Sequence, residues 1–194
     1  MKQLTVKFTG IDSLIMNNPQ TVDPLNKYSK EKKVYTSKRV KTDEDVLSLR
    51  SLEIRSKLYF DEKMKVYVPS TWVTSSIIAN SWAKGKVKKA DIRSSVFTTE
   101  PKLKLYYDGD NTVNEPLDIV GNGDFHHVQI LKQAQVRIVK ASPKFNNWSF
   151  SVMIDFDDAQ INESELKQLI EYGAKYGGYG DFRPTFGRCG VTYD

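Results

Sequence analysis

A chain of 194 residues is long enough to bury a full core, and its net charge of +5 with a pI of about 9.1 favours a polyanionic partner. Its only cysteine, Cys189, excludes an internal disulfide and a thiolate-rich zinc site. No apolar run approaches the roughly 20 residues that span a bilayer, so the expectation is one soluble intracellular domain over residues 1–194 with no membrane partner.

The chain opens with alternating polar and apolar residues, Leu4, Val6 and Phe8 sharing one face. This reads as a strand ending near Gly10 and not as a signal peptide. Residues 17–45 are polar and lysine-rich, broken by Asn17-Asn18-Pro19 and Pro24, and read as a long exposed insertion. Thr42 and Asp45 have the spacing of a capping box, which starts a brief helix through Val46 and Leu49. Leu52, Ile54, Leu58 and Phe60 alternate as a strand does. Asp61-Glu62-Lys63-Met64 then turns that strand into a partner at Val66-Tyr67-Val68.

Pro69-Ser70 caps a helix over about 71–83, with Trp72, Val73, Ile77, Ile78 and Trp82 as its apolar stripe. Extended pieces follow at Val96-Phe97 and 103–107, and a second irregular insertion occupies about 108–127. Val128, Ile130, Val136 and Ile138 suggest one strand, and Trp148, Phe150, Val152, Ile154 and Phe156 another, joined by a hairpin at 142–147. A helix from about Glu163 to Tyr176 is capped by Asn162 with Glu165 three residues on, and buries Leu166, Leu169 and Ile170. The last strand spans 186–193. Without its insertions the order is strand, helix, strand, strand, helix, strand. That order predicts an α+β fold of the ferredoxin-like (RRM-like) kind, an antiparallel sheet with two helices on one side, extra hairpins and a basic insertion. The other sheet face is left open to a ligand.

Between the last helix and the last strand lies GGYGDFRPTFGR, residues 177–188. Gly177, Gly178, Gly180 and Gly187 mark sharp turning or close approach, while Arg183 and Arg188 keep permanent charge beside aromatic rings. The pattern suits a phosphate backbone. It equally suits a helix C-cap with two solvated arginines.

Several runs resemble, in the same order, a widespread group of phage and prophage proteins: GIDSLIMNNP at 10–19, DPLN at 23–26, SKRVKTDED at 37–45, LYF at 58–60, YVP at 67–69 and GDFRPTFGR at 180–188. The match covers nearly the whole chain. That group is similar in turn to the RAMP superfamily, which includes backbone subunits of CRISPR effector complexes. The resemblance implies a ferredoxin-like core, binding of single-stranded RNA, a glycine-rich loop before the final strand where 177–187 stand, and a basic insertion that grips RNA at 27–41. It also implies a host-cell cytoplasmic location.

Cations concentrate in two runs, 27–41 and 84–93, while Asp155, Asp157, Asp158, Glu163, Glu165 and Glu171 make the later part acidic. The first run carries Lys38, Arg39 and Lys41 and is interleaved with Tyr28 and Tyr35, charge for phosphates and rings for unstacked bases. A solvated polar loop accounts for the same composition. The second carries Lys86, Lys88 and Lys89 beyond a helix end, where positive charge also suits the helix dipole. His126 and His127 are the one pair that suggests catalysis, yet neighbours on a strand face opposite ways. Asp155, Asp157 and Asp158 read as solvated acids and not as a magnesium site, and no catalytic or metal motif stands out.

The expectation is a non-catalytic protein that binds single-stranded RNA or DNA without a cofactor, several copies lying along the strand, in phage replication, recombination or counter-defence. The binding residues are Lys38, Arg39, Lys41, Lys86, Lys88, Lys89, Arg183 and Arg188. Two other readings stay open: a metal-independent endoribonuclease using His126 or His127, and an interaction module that mimics a CRISPR subunit and contacts host CRISPR or replication proteins.

Overall fold

The computed structural model describes every residue except 84–86 and 134. It is an α+β structure of helices and antiparallel sheets. In chain order the elements are β1 (Lys2–Gly10), β2 (Leu14–Ile15), α1 (Lys27–Thr36), α2 (Asp43–Lys57), β3 (Phe60–Asp61), β4 (Lys65–Pro69), α3 (Thr71–Ala79), α4 (Lys89–Ser95), β5 (Val96–Thr98), β6 (Lys102–Lys104), α5 (Pro116–Gly121), β7 (His126–Gln133), β8 (Val136–Phe145), β9 (Ser149–Phe156), α6 (Glu163–Tyr172) and β10 (Cys189–Tyr193). They gather into two compact units. Residues 1–14, 66–110 and 145–194 make the first, and residues 15–65 and 111–144 the second. The insertion expected at 17–45 falls in the second unit, as does most of that expected at 108–127.

The first unit is built on a four-stranded antiparallel sheet in the order β10-β1-β9-β5. Alternation along β1 and β9 sends Leu4, Val6, Phe8, Phe150, Val152, Ile154 and Phe156 to one buried face. There Phe8 stacks on Phe150 at 4.8 Å and both meet Tyr179 edge-on. Val73 and Ile77 from α3, with Leu166, Leu169 and Ile170 from α6, complete the core. The opposite face carries the exposed Gln3, Lys7, Ser151 and Thr192, with Phe97 and Met153 as its exposed apolar groups.

Helix α6 starts as its sequence predicts: Asn162 accepts from Glu165 N, and Glu165 Oε2 accepts from Asn162 N. Ser70 does not cap α3 with its side chain: its backbone is already helical at φ −62°, ψ −23°, and its hydroxyl oxygen accepts from Thr98 Oγ1 at 3.0 Å. The expected apolar stripe of that helix also ends early, since α3 stops at Ala79 and Trp82, on a following turn of 3-10 helix, is 67% exposed. The hairpin expected at 142–147 is corrected: β8 runs to Phe145 and pairs in a sheet with β2 and β7, whereas β9 pairs with β1 and β5, so the turn at Asn147, φ 48°, passes the chain from one sheet to another.

In the second unit three expectations are corrected. The exposed insertion contains α1, capped by Asn26 accepting from Tyr28 N. Its Lys and Glu residues favour helix intrinsically, so a stretch with little apolar content still folds. The expected brief helix and following strand are one 15-residue helix, α2. The Thr42–Asp45 capping box is present, three acids open the helix and Arg55 and Lys57 close it, so charge complements the dipole at both ends. Long-range contacts then hold its C-terminal half: Arg55 reaches Glu31, and Lys57 Nζ donates to Ala141 O at 2.6 Å. Third, Val128 to Ile138 is not one strand but the hairpin of β7 and β8, paired from His126↔Pro143 to Gln133↔Val136.

Candidate nucleic-acid interface

A groove lined by basic residues lies in the second unit. Helix α2 presents Val46, Leu49, Arg50 and Glu53 at helical spacing on one face, which lies beside Ile138 to Ala141 of β8 and Lys32 of α1. Between them runs a groove of about 480 Å³. Its floor is apolar, from Val46, Leu49 and Val139, and four cations, Lys32, Lys41, Arg50 and Lys140, stand around it with a single carboxylate, Glu53.

Glu53 is an internal brace. Its oxygens accept from Ala141 N at 3.0 Å and Lys140 Nζ at 3.1 Å, and Lys32 Nζ lies 3.6 Å away. Burial pushes its pKa up, but the Ala141 amide, Lys140 and Lys57 together hold it below the ordinary value. Lys41 Nζ donates only to the carbonyl of Lys38, and among the described residues no carboxylate pairs with Lys41 or Arg50. Cations outnumber acid in the groove, over a floor that an apolar base face can cover.

Of the residues singled out in the first basic run, Lys41 lines this groove and Arg39 is exposed. Lys38 is engaged by Asp45 at 2.6 Å. Lys38 and the Thr42 amide hold the Asp45 carboxyl below its ordinary pKa. Tyr28, expected to offer a ring to bases, is buried, 8% exposed, with Lys27 at 5.0 Å and Arg55 at 5.9 Å from its ring centre. Arg50 and Lys140 were not singled out by the sequence. Reading α2 as a full helix would have placed Arg50 and Glu53 on one face.

The glycine segment belongs to the first unit. Helix α6 passes into a π turn over Gly173–Gly177, and Gly178 at φ +71° donates to Gly173 O at 2.8 Å. Tyr179 N donates to Gly187 O at 2.9 Å, and Gly187 N to Ser13 O at 2.9 Å. Gly187 sits at φ +79°, where an added Cβ would collide with the Tyr179 backbone. The amides of Gly178, Tyr179 and Gly187 thus hold the loop's own fold instead of facing outward. Gly177 and Gly180 line an open hollow of about 500 Å³ with Tyr176, Asp181, Phe182, Arg183 and Pro184.

Arg183 is exposed at that hollow, whereas Arg188 Nε donates to Asp12 Oδ2 at 2.6 Å. Lys88 and Lys89 are exposed at the N-cap and first position of α4. Positive charge there opposes the dipole of α4, and α3, the helix whose end the dipole explanation invokes, stops at Ala79, beyond the reach of a last-turn effect on Lys88 and Lys89. Lys86 lies outside the described residues.

His126 Nε2 is 3.0 Å from Ile119 O, which as a carbonyl accepts, and His127 Nε2 is 3.0 Å from Gln129 Oε1. Asp158 pairs with Lys2 at 2.8 Å, and Asp157 accepts from Ala159 N at 3.1 Å. No three His, Cys, Asp or Glu residues gather as a metal site among the described residues, and no described helix is long and apolar enough to cross a membrane. Neither a family model nor a curated protein matches this chain.

Proposed function

We propose that this protein binds single-stranded nucleic acid, RNA or DNA, without cleaving it, through the groove of Lys32, Lys41, Arg50 and Lys140 with help from the exposed Arg39, while Lys88, Lys89 and Arg183 are separate candidate contacts of the first unit. The observation that carries the reading is the groove itself, where cations surround an apolar floor and the one carboxylate is turned inward onto Ala141 and Lys140. Phosphates supply the complementary charge, and splayed bases supply apolar faces that a duplex keeps stacked.

A ferredoxin-like core of the RAMP kind is part of the same proposal. What supports it is the strand order β10-β1-β9-β5 with α3 before β5 and α6 before β10, the arrangement expected of two βαβ halves interleaved in one antiparallel sheet. A role in phage replication, recombination or counter-defence follows from the resemblance to phage proteins. Anisotropy titration of labelled oligouridine, oligothymidine and a duplex tests the binding. Salt-sensitive binding preferring the single strands supports it, and no binding to any of the three overturns it.

A further inference from the structure

Trp82 leaves 67% of its surface in water and Tyr176 55%. Large rings at such exposure seldom stand together without a partner. Here they form a row: Trp82 meets Tyr172 edge-on at 5.4 Å, and Tyr172 meets Tyr176 at 4.8 Å. Tyr176 also lines the hollow that holds Arg183, and Lys175 Nζ lies 5.3 Å from its ring centre.

The row has a rigid base. Tyr172 ends α6 and Tyr176 lies within the π turn that follows. Gly173, between them, abuts α3 so closely that an added Cβ would collide with Ser76 Oγ. A π turn widens the helix and resets the direction of the side chains it carries, and such turns recur at functional sites. Two carboxylates lie close in sequence: Glu171 Oε1 accepts from Tyr193 Oη, and Asp181, which lines the hollow together with Arg183, accepts from Phe182 N.

We infer that Trp82, Tyr172 and Tyr176 are a base-stacking platform, on which unpaired bases of a single strand lie while Lys175 and Arg183 meet the adjoining phosphates. This rests on the proposed single-strand binding. Rings in a row with cations at one end match the alternation of base and phosphate along an unpaired strand, whereas an apolar protein partner would leave Lys175 and Arg183 unanswered.

The test uses the full chain with oligouridine, oligothymidine and an abasic oligomer of equal length. Trp82→Ala is expected to weaken binding by about 5- to 150-fold, the range for loss of one stacked base, with no change in salt slope because no phosphate contact is lost. Trp82→Phe recovers most of the loss, and the abasic oligomer binds wild type and Trp82→Ala alike. Tyr176→Ala weakens binding in the same way, and if either alanine variant fails to fold, quenching of tryptophan fluorescence by the normal oligomer, lost in Trp82→Phe, decides the matter. Variants that bind the normal oligomer as wild type does overturn the platform and leave the groove intact. A wild type that binds no single strand overturns both.

Discussion

Arg188 Nε donates to Asp12 Oδ2 at 2.6 Å, joining the end of the glycine segment to the turn after β1. The hydrogen bond and the charge of Asp12 raise the pKa of the guanidinium above its ordinary value. It also neutralises a cation that the sequence alone offers to phosphate. Asp12→Asn should therefore release Arg188 and steepen the dependence of log affinity on log salt by about 0.7, one added phosphate contact. Arg188→Ala should leave that slope where it is. Anisotropy titrations across salt measure both, and a slope that falls in Arg188→Ala contradicts the assignment.

Lys41 and Arg50 are the groove cations without a carboxylate partner among the described residues. Replacing both with alanine should flatten the salt slope by about 1.4, two phosphate contacts at roughly 0.7 each. An unchanged slope places the binding elsewhere.

Glu53 couples the groove to the fold. Its folded pKa lies below the ordinary 4.5, so its contribution to stability is complete above that value and is lost as pH falls through the folded one. Glu53→Gln should cost about 1 to 2 kcal/mol at neutral pH, allowing for partial solvent screening. Urea unfolding should show that gap closing in acid below about pH 4.5. A gap independent of pH contradicts the brace.

Gly187 combines φ +79° with a backbone neighbour where its Cβ would stand. Gly187→Ala should lower stability by more than about 2 kcal/mol, strain and collision acting together. An unshifted unfolding midpoint would show that the loop is not locked by this contact.

Helix α6 was legible because its cap, Asn162 with Glu165, and its stripe, Leu166, Leu169 and Ile170, are local in sequence. Strands β1 and β9 were legible for the same reason, each sending every second residue to the core. Helix α2 was read as half strand because Leu52, Ile54 and Leu58 fit a period of two as well as a helix. The contacts that decide the matter, Arg55 to Glu31 and Lys57 to Ala141, are long-range. The groove was legible only through Lys41 and the general basicity of the 27–41 run. Glu53 and Lys140 lie 87 positions apart and meet only once β8 stands beside α2. The burial of Tyr28 and the exposure of Trp82 reverse their composition-based reading, since neither depends on residue type alone.

In the function proposed, single-stranded nucleic acid is held electrostatically in the groove of Lys32, Lys41, Arg50 and Lys140. Its most direct measurement is the salt dependence of single-strand affinity in the wild type. The two groove cations with no carboxylate partner among the described residues, Lys41 and Arg50, predict a log–log slope of about −1.4, steeper if Lys32 and Lys140 exchange Glu53 for phosphate. A slope near zero, or no detectable binding at low salt, contradicts it.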